Sequence, residues 1–144
     1  MIVTFSVPFV VPKARPRFAG HAYTSRRTVE AERKVRDAYK GACVRKFGRV
    51  VTAPAGTKVT MFVIAMKRAP KRRPKLVPKA LWELGAYPFT QAPDYDNLLK
   101  LCSDALNGVA WADDAQITDA HVHKMDRRRF VTDVTAVTII WEDQ

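Results

Sequence analysis

Three aspartates and one lysine form the pattern in this sequence that most clearly predicts chemistry. Asp94 and Asp96 stand two residues apart in a stretch predicted to be extended, so their side chains should point the same way. Asp114 follows a predicted helix and a tight turn. Carboxylate oxygens are the ligands that Mg²⁺ prefers, with water and substrate phosphate completing its shell. We therefore predict that these three aspartates bind one or two Mg²⁺ ions, which Mn²⁺ could replace.

Lys100 lies four residues after Asp96, on the polar side of the predicted helix. From there it could orient Asp96, or neutralise charge on an attacked phosphate or on the leaving oxygen. The reaction that this set of residues predicts is in-line hydrolysis of a phosphodiester by a metal-activated water.

Positive charge surrounds this acidic segment. The 144-residue chain has 25 Lys and Arg against 14 Asp and Glu, a formal net charge of +11. Residues 67–79 hold seven basic residues and no acid, whereas residues 94–119 hold six acids and one lysine. A polyanion is therefore the expected partner, and nucleic acid is favoured over a membrane surface. Acids would weaken simple phosphate binding, but a divalent cation held by them removes the conflict.

Each of these residues also has an ordinary structural interpretation. Asp94 or Asp96 could cap a helix, and Asp96 with Lys100 could form an i, i+4 pair. Asp113 and Asp114 could form a solvated turn. A non-catalytic nucleic-acid-binding protein and a metal-dependent phosphatase for small substrates therefore remain alternatives.

The remaining chemical groups are interpreted as structural. Cys43 and Cys102 lie on apolar helix positions, where a free cysteine behaves as a small core residue, so we expect a reducing environment. His121 and His123 alternate along one strand without further ligands at zinc spacing, so we interpret them as surface histidines. Because no signal peptide or long apolar run is indicated, we expect a cytoplasmic location without membrane contact.

Hydrophobic periodicity predicts one α+β domain over residues 1–144, with a mixed sheet of about four strands and two main helices. The two C-terminal strands are predicted to pair as an antiparallel hairpin. The predicted elements are strand 1–7, a helix capped by Thr28 and ended by Gly48, strand 57–66, an irregular basic stretch 67–79, a short helical turn 79–85, helix 97–107, and strands 117–125 and 130–141.

The acidic segment resembles the RusA-type Holliday junction resolvases, a family of small bacterial and phage endonucleases. The matching positions are Asp94-Tyr95-Asp96-Asn97-Leu98-x-Lys100, then Asp104-Ala105-Leu106, then Gly108-Val109-x-Trp111-x-Asp113-Asp114-x-Gln116-Ile117. The resemblance implies a Mg²⁺-dependent homodimer that binds four-way DNA junctions and nicks two strands of like polarity symmetrically, in DNA recombination and repair. It also implies that Asp94, Asp96 and Asp114 are metal-binding catalytic acids and that Lys100 is an essential lysine.

The resemblance further implies DNA contacts in two basic loops. The residues concerned are Lys13, Arg15 and Arg17 after the first strand, and Lys71, Arg72, Arg73 and Lys75 ahead of the acids. In the second loop the chain departs from the family. Other members carry an Arg run directly before the acids, whereas here residues 87–93 hold no charge and the basic residues lie earlier.

Overall fold

The computed structural model describes residues 1–10, 17–18 and 20–142. The elements, in chain order, are β1 (Ile2–Val7), β2 (Arg17–Phe18), β3 (Ala22–Tyr23), α1 (Arg26–Phe47), β4 (Val59–Met66), α2 (Lys79–Glu83), β5 (Ala86–Tyr87), α3 (Tyr95–Leu106), a 3₁₀ turn (Asp114–Gln116), β6 (Ile117–Lys124), β7 (Arg127–Arg128) and β8 (Val134–Trp141). Among these described residues, none of the helices combines the length and apolarity needed to cross a membrane.

The main sheet has four strands in the order β1–β8–β4–β6. β8 pairs antiparallel with both β1 and β4, whereas β6 pairs parallel with β4. The long helices α1 and α3 pack on the sheet, and the predicted fold class, a single α+β domain with a mixed four-stranded sheet and two main helices, is confirmed.

The two C-terminal strands run in opposite directions, as predicted, but they are not hydrogen-bonded to each other. β4 lies between β6 and β8, so the prediction that these strands pair directly was wrong. Alternation shows which side chains face the core but not which neighbour a strand takes. β4, whose Val59, Met61 and Val63 are fully buried, lies in the interior of the sheet between β8 and β6. The polar β6 is an edge strand.

The first helix begins earlier than the sequence predicted. Ser25 is its N-cap and accepts a hydrogen bond from the Thr28 backbone N–H at 3.3 Å, so the prediction of a Thr28 cap was wrong. Thr28 is instead buried in the first turn. The helix ends as predicted at Gly48, whose φ of 72° is the left-handed conformation that glycine adopts most easily.

The crossover from β4 to β6 contains α3, and this connection determines where the acidic residues lie. The predicted apolar positions of α3 are all buried: Leu98, Leu101, Cys102, Ala105 and Leu106. Because β6 is parallel to β4, the chain returns along α3 from the carboxyl ends of these strands to their amino ends. The start of α3 therefore lies near the carboxyl end of β6.

A smaller unit follows β4 at the same end of the sheet. It contains α2 and the β5–β7 pair, with a separate cluster of the buried residues Ala69, Val77 and Tyr87. The basic residues 67–79 form no helix or strand before Lys79, where α2 begins, as the sequence predicted.

We predict that Leu106→Ala lowers the free energy of unfolding by about 2–5 kcal/mol, because Leu106 is fully buried and its loss leaves a cavity. Leu76→Ala, at a side chain that is 93% exposed, should change it by less than about 0.5 kcal/mol. Urea unfolding followed by circular dichroism measures both. Equal effects in the two variants would contradict this core assignment.

Candidate active site

Asp94 and Asp96 lie at the N-terminus of α3, and both are exposed. Asp94 occupies the N-cap position with extended backbone angles, φ −68° and ψ 150°, yet its side chain accepts no hydrogen bond from the helix. Capping therefore does not explain this carboxylate. Asp96 lies in the first helical turn, where its negative charge complements the helix dipole.

The helix begins one residue after Asp94, so the predicted extended stretch does not include Asp96. The expectation that strand-like alternation aligns the two side chains was wrong, and the start of the helix is what places both residues at one end of α3. Lys100 lies one turn further on the exposed side of α3, as predicted. Within the described part of the chain, Asp96 and Lys100 form no ion pair, although they are four residues apart.

Asp114 is held by a buried tryptophan. The indole Nε1 of Trp111 donates to Asp114 Oδ1 at 2.8 Å, and Trp111 itself is fully buried. The orientation of this carboxylate is therefore fixed by the core. The neighbouring Asp113 has a different role, because its Oδ1 accepts from the Ala115 backbone N–H at 2.8 Å and caps the 3₁₀ turn.

Gln116 connects this turn to the start of β4. Its Oε1 accepts from the backbone N–H groups of Ala112 and Asp113, at 2.9 and 3.3 Å. Its Nε2 donates to the carbonyls of Pro54 and Thr57, at 2.7 and 3.2 Å. The amide thus satisfies four backbone groups, and the position of Asp114 at the amino end of β6 follows from this network.

The acid pair and Asp114 lie at opposite ends of β6. Lys124, the last residue of β6, donates to the carbonyl of Gln91, three residues before Asp94. Asp114 begins the turn that precedes the first residue of β6. The eight residues of this strand, at about 3.3 Å each, separate the two places by roughly 25 Å.

A single chain therefore does not fit the predicted site of three carboxylates. Among the described residues, no group of three Asp, Glu, His or Cys side chains could hold a metal ion. Two carboxylates could suit an ion that keeps several waters, but the predicted third ligand, Asp114, lies at the other end of β6.

The predicted DNA-binding residues are only partly described. Lys13 and Arg15, and the side chain of Arg17, lie outside the described residues. The others, Lys71, Arg72, Arg73 and Lys75, are exposed between β4 and α2. Because this stretch leaves the carboxyl end of β4, it lies at the same end of the sheet as the acid pair.

Sequence reasoning missed two cations beside the acid pair. Lys124 and Arg127 both contact Phe89 and Gln91, in the uncharged loop that precedes Asp94. Nothing local in the sequence identifies them, since more than twenty residues separate them from the acids. The available signal was the departure of residues 87–93 from the family pattern, which left the acids without adjacent positive charge.

The cysteines and histidines lie where the sequence placed them. Cys43 and Cys102 are buried, and burial raises the pKa of Cys102 to about 12, which keeps it protonated. His121 and His123 are exposed on β6, and His121 stacks on Phe62 with ring centroids 4.7 Å apart. These positions confirm the core and surface assignments.

A basic α+β domain that exposes two carboxylates at a helix N-terminus, beside a stretch rich in Lys and Arg, has the features of a protein that acts on nucleic acid. Its sequence matches the family model described as Endodeoxyribonuclease RusA over residues 8–139. The chain therefore belongs to the RusA endodeoxyribonuclease family, whose members are metal-dependent nucleases that resolve Holliday junctions. No curated protein matches the sequence.

We predict that Asp113→Ala lowers the free energy of unfolding by about 0.5–2 kcal/mol, because it removes the cap of the 3₁₀ turn. Asp113→Asn keeps an oxygen acceptor and should remain near the wild type. Thermal or urea unfolding measures the difference. If Asn were as destabilising as Ala, the negative charge and not the cap would be the important feature.

Proposed function

We propose that this protein is a Mg²⁺-dependent, structure-selective endonuclease that resolves four-way DNA junctions by two symmetric nicks, in DNA recombination and repair. Mn²⁺ can take the place of Mg²⁺. The observation that carries the proposal is the exposed pair Asp94 and Asp96 at the start of α3, where Asp94 makes no capping hydrogen bond. Membership of the RusA family supports it.

In this proposal Asp94 and Asp96 bind the metal ion from the N-terminus of α3. The bound ion supplies Lewis-acid activation of the phosphate and a water of lowered pKa. Lys100, exposed one turn away, neutralises charge that develops on the phosphate oxygens. Lys71, Arg72, Arg73 and Lys75, together with Lys13, Arg15 and Arg17, bind the flanking DNA backbone.

The missing third carboxylate points to a homodimer. β6 is an edge strand of the main sheet, with an exposed run from Thr118 to His121. Ala120 pairs in register with the fully buried Met61, yet Ala120 itself is exposed, so the helix layer leaves this edge uncovered. An uncovered edge strand offers unpaired N–H and C=O groups to another strand.

A two-fold axis through the middle of β6 would pair this strand antiparallel with β6 of a second copy. The amino end of one β6 would then lie beside the carboxyl end of the other. Asp114 of the partner subunit would thereby approach Asp94 and Asp96, and each dimer would hold two complete sites. Two equivalent sites match the two-fold related strands of a four-way junction.

We predict that Asp96→Asn abolishes cutting of a labelled four-way junction in Mg²⁺, while binding persists or tightens because a charge that repels phosphate is removed. Gel analysis of wild type and variant, with Mg²⁺ and with EDTA, measures both activities. Unchanged cutting in the variant, or wild-type cutting in EDTA, would sink the proposal. If small phosphate compounds competed for the site more effectively than branched DNA, a phosphatase would be favoured instead.

The composite site makes a separate prediction for mixed dimers. Asp96→Asn and Asp114→Asn should each be inactive alone, but subunits mixed after partial unfolding and refolding should regain activity. One site of the mixed dimer then carries both defects, and the other is intact. The product should be a single nick without paired cleavage. Recovery is impossible if all three acids act within one chain, so an inactive mixture of verified heterodimers would exclude the shared site.

A further inference from the structure

A small cationic group lies beside the acid pair at the carboxyl ends of β4 and β6. Lys124 Nζ lies 4.3 Å from the centre of the Phe89 ring and donates to the Gln91 carbonyl at 2.7 Å. The Arg127 guanidinium lies 5.5 Å from the same ring and donates to Gln91 Oε1 at 3.1 Å. The uncharged loop before Asp94 thus supports two cations from another part of the chain.

The two cations differ in their remaining hydrogen-bonding capacity. The Nη1 of Arg127 donates to Gln91 Oε1. Its Nε and Nη2 both donate to the Arg68 carbonyl, at 3.2 and 2.6 Å. The ammonium group of Lys124 has three N–H donors. Within the described residues it makes one hydrogen bond, to the Gln91 carbonyl. Arg127 is therefore a fixed support for Gln91, and Lys124 keeps donors for a ligand.

Burial and two neighbouring charges act on the ammonium group of Lys124. Burial lowers the pKa of its ammonium group, Asp94 opposes that effect, and the like charge of Lys67 lowers the pKa further. Lys67, directly after β4, and Lys124, at the end of β6, thus lie at the same end of the sheet as Asp94. A phosphate oxygen would satisfy the remaining N–H donors of Lys124.

We propose that Lys124 binds a phosphate of the DNA strand that lies over Asp94 and Asp96, and that Phe89, Gln91 and Arg127 position it for that contact. This inference rests on the proposed nuclease function, because that function brings a phosphodiester to the acid pair. It assigns to the end of β6 the positive charge that residues 87–93 lack.

The test compares Lys124→Met with Lys46→Met. Lys46 is a matched control because it also lies over a phenylalanine ring, 5.2 Å from the centre of Phe47, and donates to a backbone carbonyl, that of Ile2. Ile2 belongs to β1, at the opposite edge of the sheet. Lys124→Gln keeps a donor for the Gln91 carbonyl without the charge, and thermal unfolding identifies any variant that fails to fold.

The first readout is the salt dependence of four-way junction binding in EDTA, where no cleavage occurs. Loss of one phosphate contact should reduce the slope of log K against log salt by about 1 in Lys124→Met and Lys124→Gln. The slope of Lys46→Met should equal that of the wild type, and Lys124→Arg should restore it. A wild-type slope in folded Lys124→Gln would overturn the inference, as would failure of the wild type to bind DNA.

The second readout is the cleavage rate at saturating protein in Mg²⁺, which should fall about 10–100-fold in Lys124→Met because the phosphate is misplaced. The two proposals fail separately. If the wild type binds DNA with a salt slope that depends on Lys124 but never cuts, the proposed nuclease function is refuted and the proposed phosphate contact of Lys124 stands. A wild type that cuts, with slope and rate unaffected in Lys124→Gln, refutes the phosphate site alone.

Discussion

The packing of α3 on the sheet, within the crossover that connects the parallel strands β4 and β6, is the constraint on which the site depends. Its apolar stripe, including Leu98, Leu101 and Leu106, is buried against the sheet and α1, so the helix direction is determined by the core. A parallel crossover must start its helix near the carboxyl ends of the strands and end it near their amino ends. Asp94 and Asp96 therefore lie at one end of the sheet and Asp114 at the other.

The acidic segment contains residues that support the fold and residues whose side chains have no structural partner in the described part of the chain. Gly108, Trp111, Asp113 and Gln116 all have structural partners: the Gly108 N–H donates to the Trp111 carbonyl, and the others hold the turn that leads into β6. Gly108 also has a φ of 73°, which a residue with a side chain adopts only with strain.

Three charged residues of the acidic segment, Asp94, Asp96 and Lys100, have no such structural partner among the described residues. Within the described residues, the carboxylates of Asp94 and Asp96 and the ammonium group of Lys100 make no hydrogen bond or ion pair. The negative charge of Asp96 contributes at most about 1 kcal/mol through the helix dipole, and exposed charges that make no pair contribute little. The presence of these three side chains is therefore better explained by chemistry than by the fold.

Local sequence patterns predicted most of the helices and strands. They could not predict which strands pair or which residues distant in sequence lie in contact. The apolar spacing from Leu98 to Leu106 gave α3, and with it the position of Asp94 at a helix start. Pairing partners and the cations around Asp94 depend on which strand takes the centre of the sheet, and that choice is a property of the whole core. This is why the central place of β4 and the contacts of Lys124 became visible only in three dimensions.

The placement of α3 also brings lysines close to the acid pair, and these lysines allow a phosphate to approach the carboxylates. In the proposed dimer each site brings three carboxylates together, and Lys67, Lys100 and Lys124 lie at the same end of the sheet. The lysine charges balance those of the carboxylates, so a divalent cation leaves the site with a net positive charge. An unmetallated site would attract DNA only weakly at its centre, and the basic stretches around it would supply the affinity. Binding is therefore expected to depend mainly on the basic stretches and cutting mainly on the charges of the site, with Lys124 contributing to both.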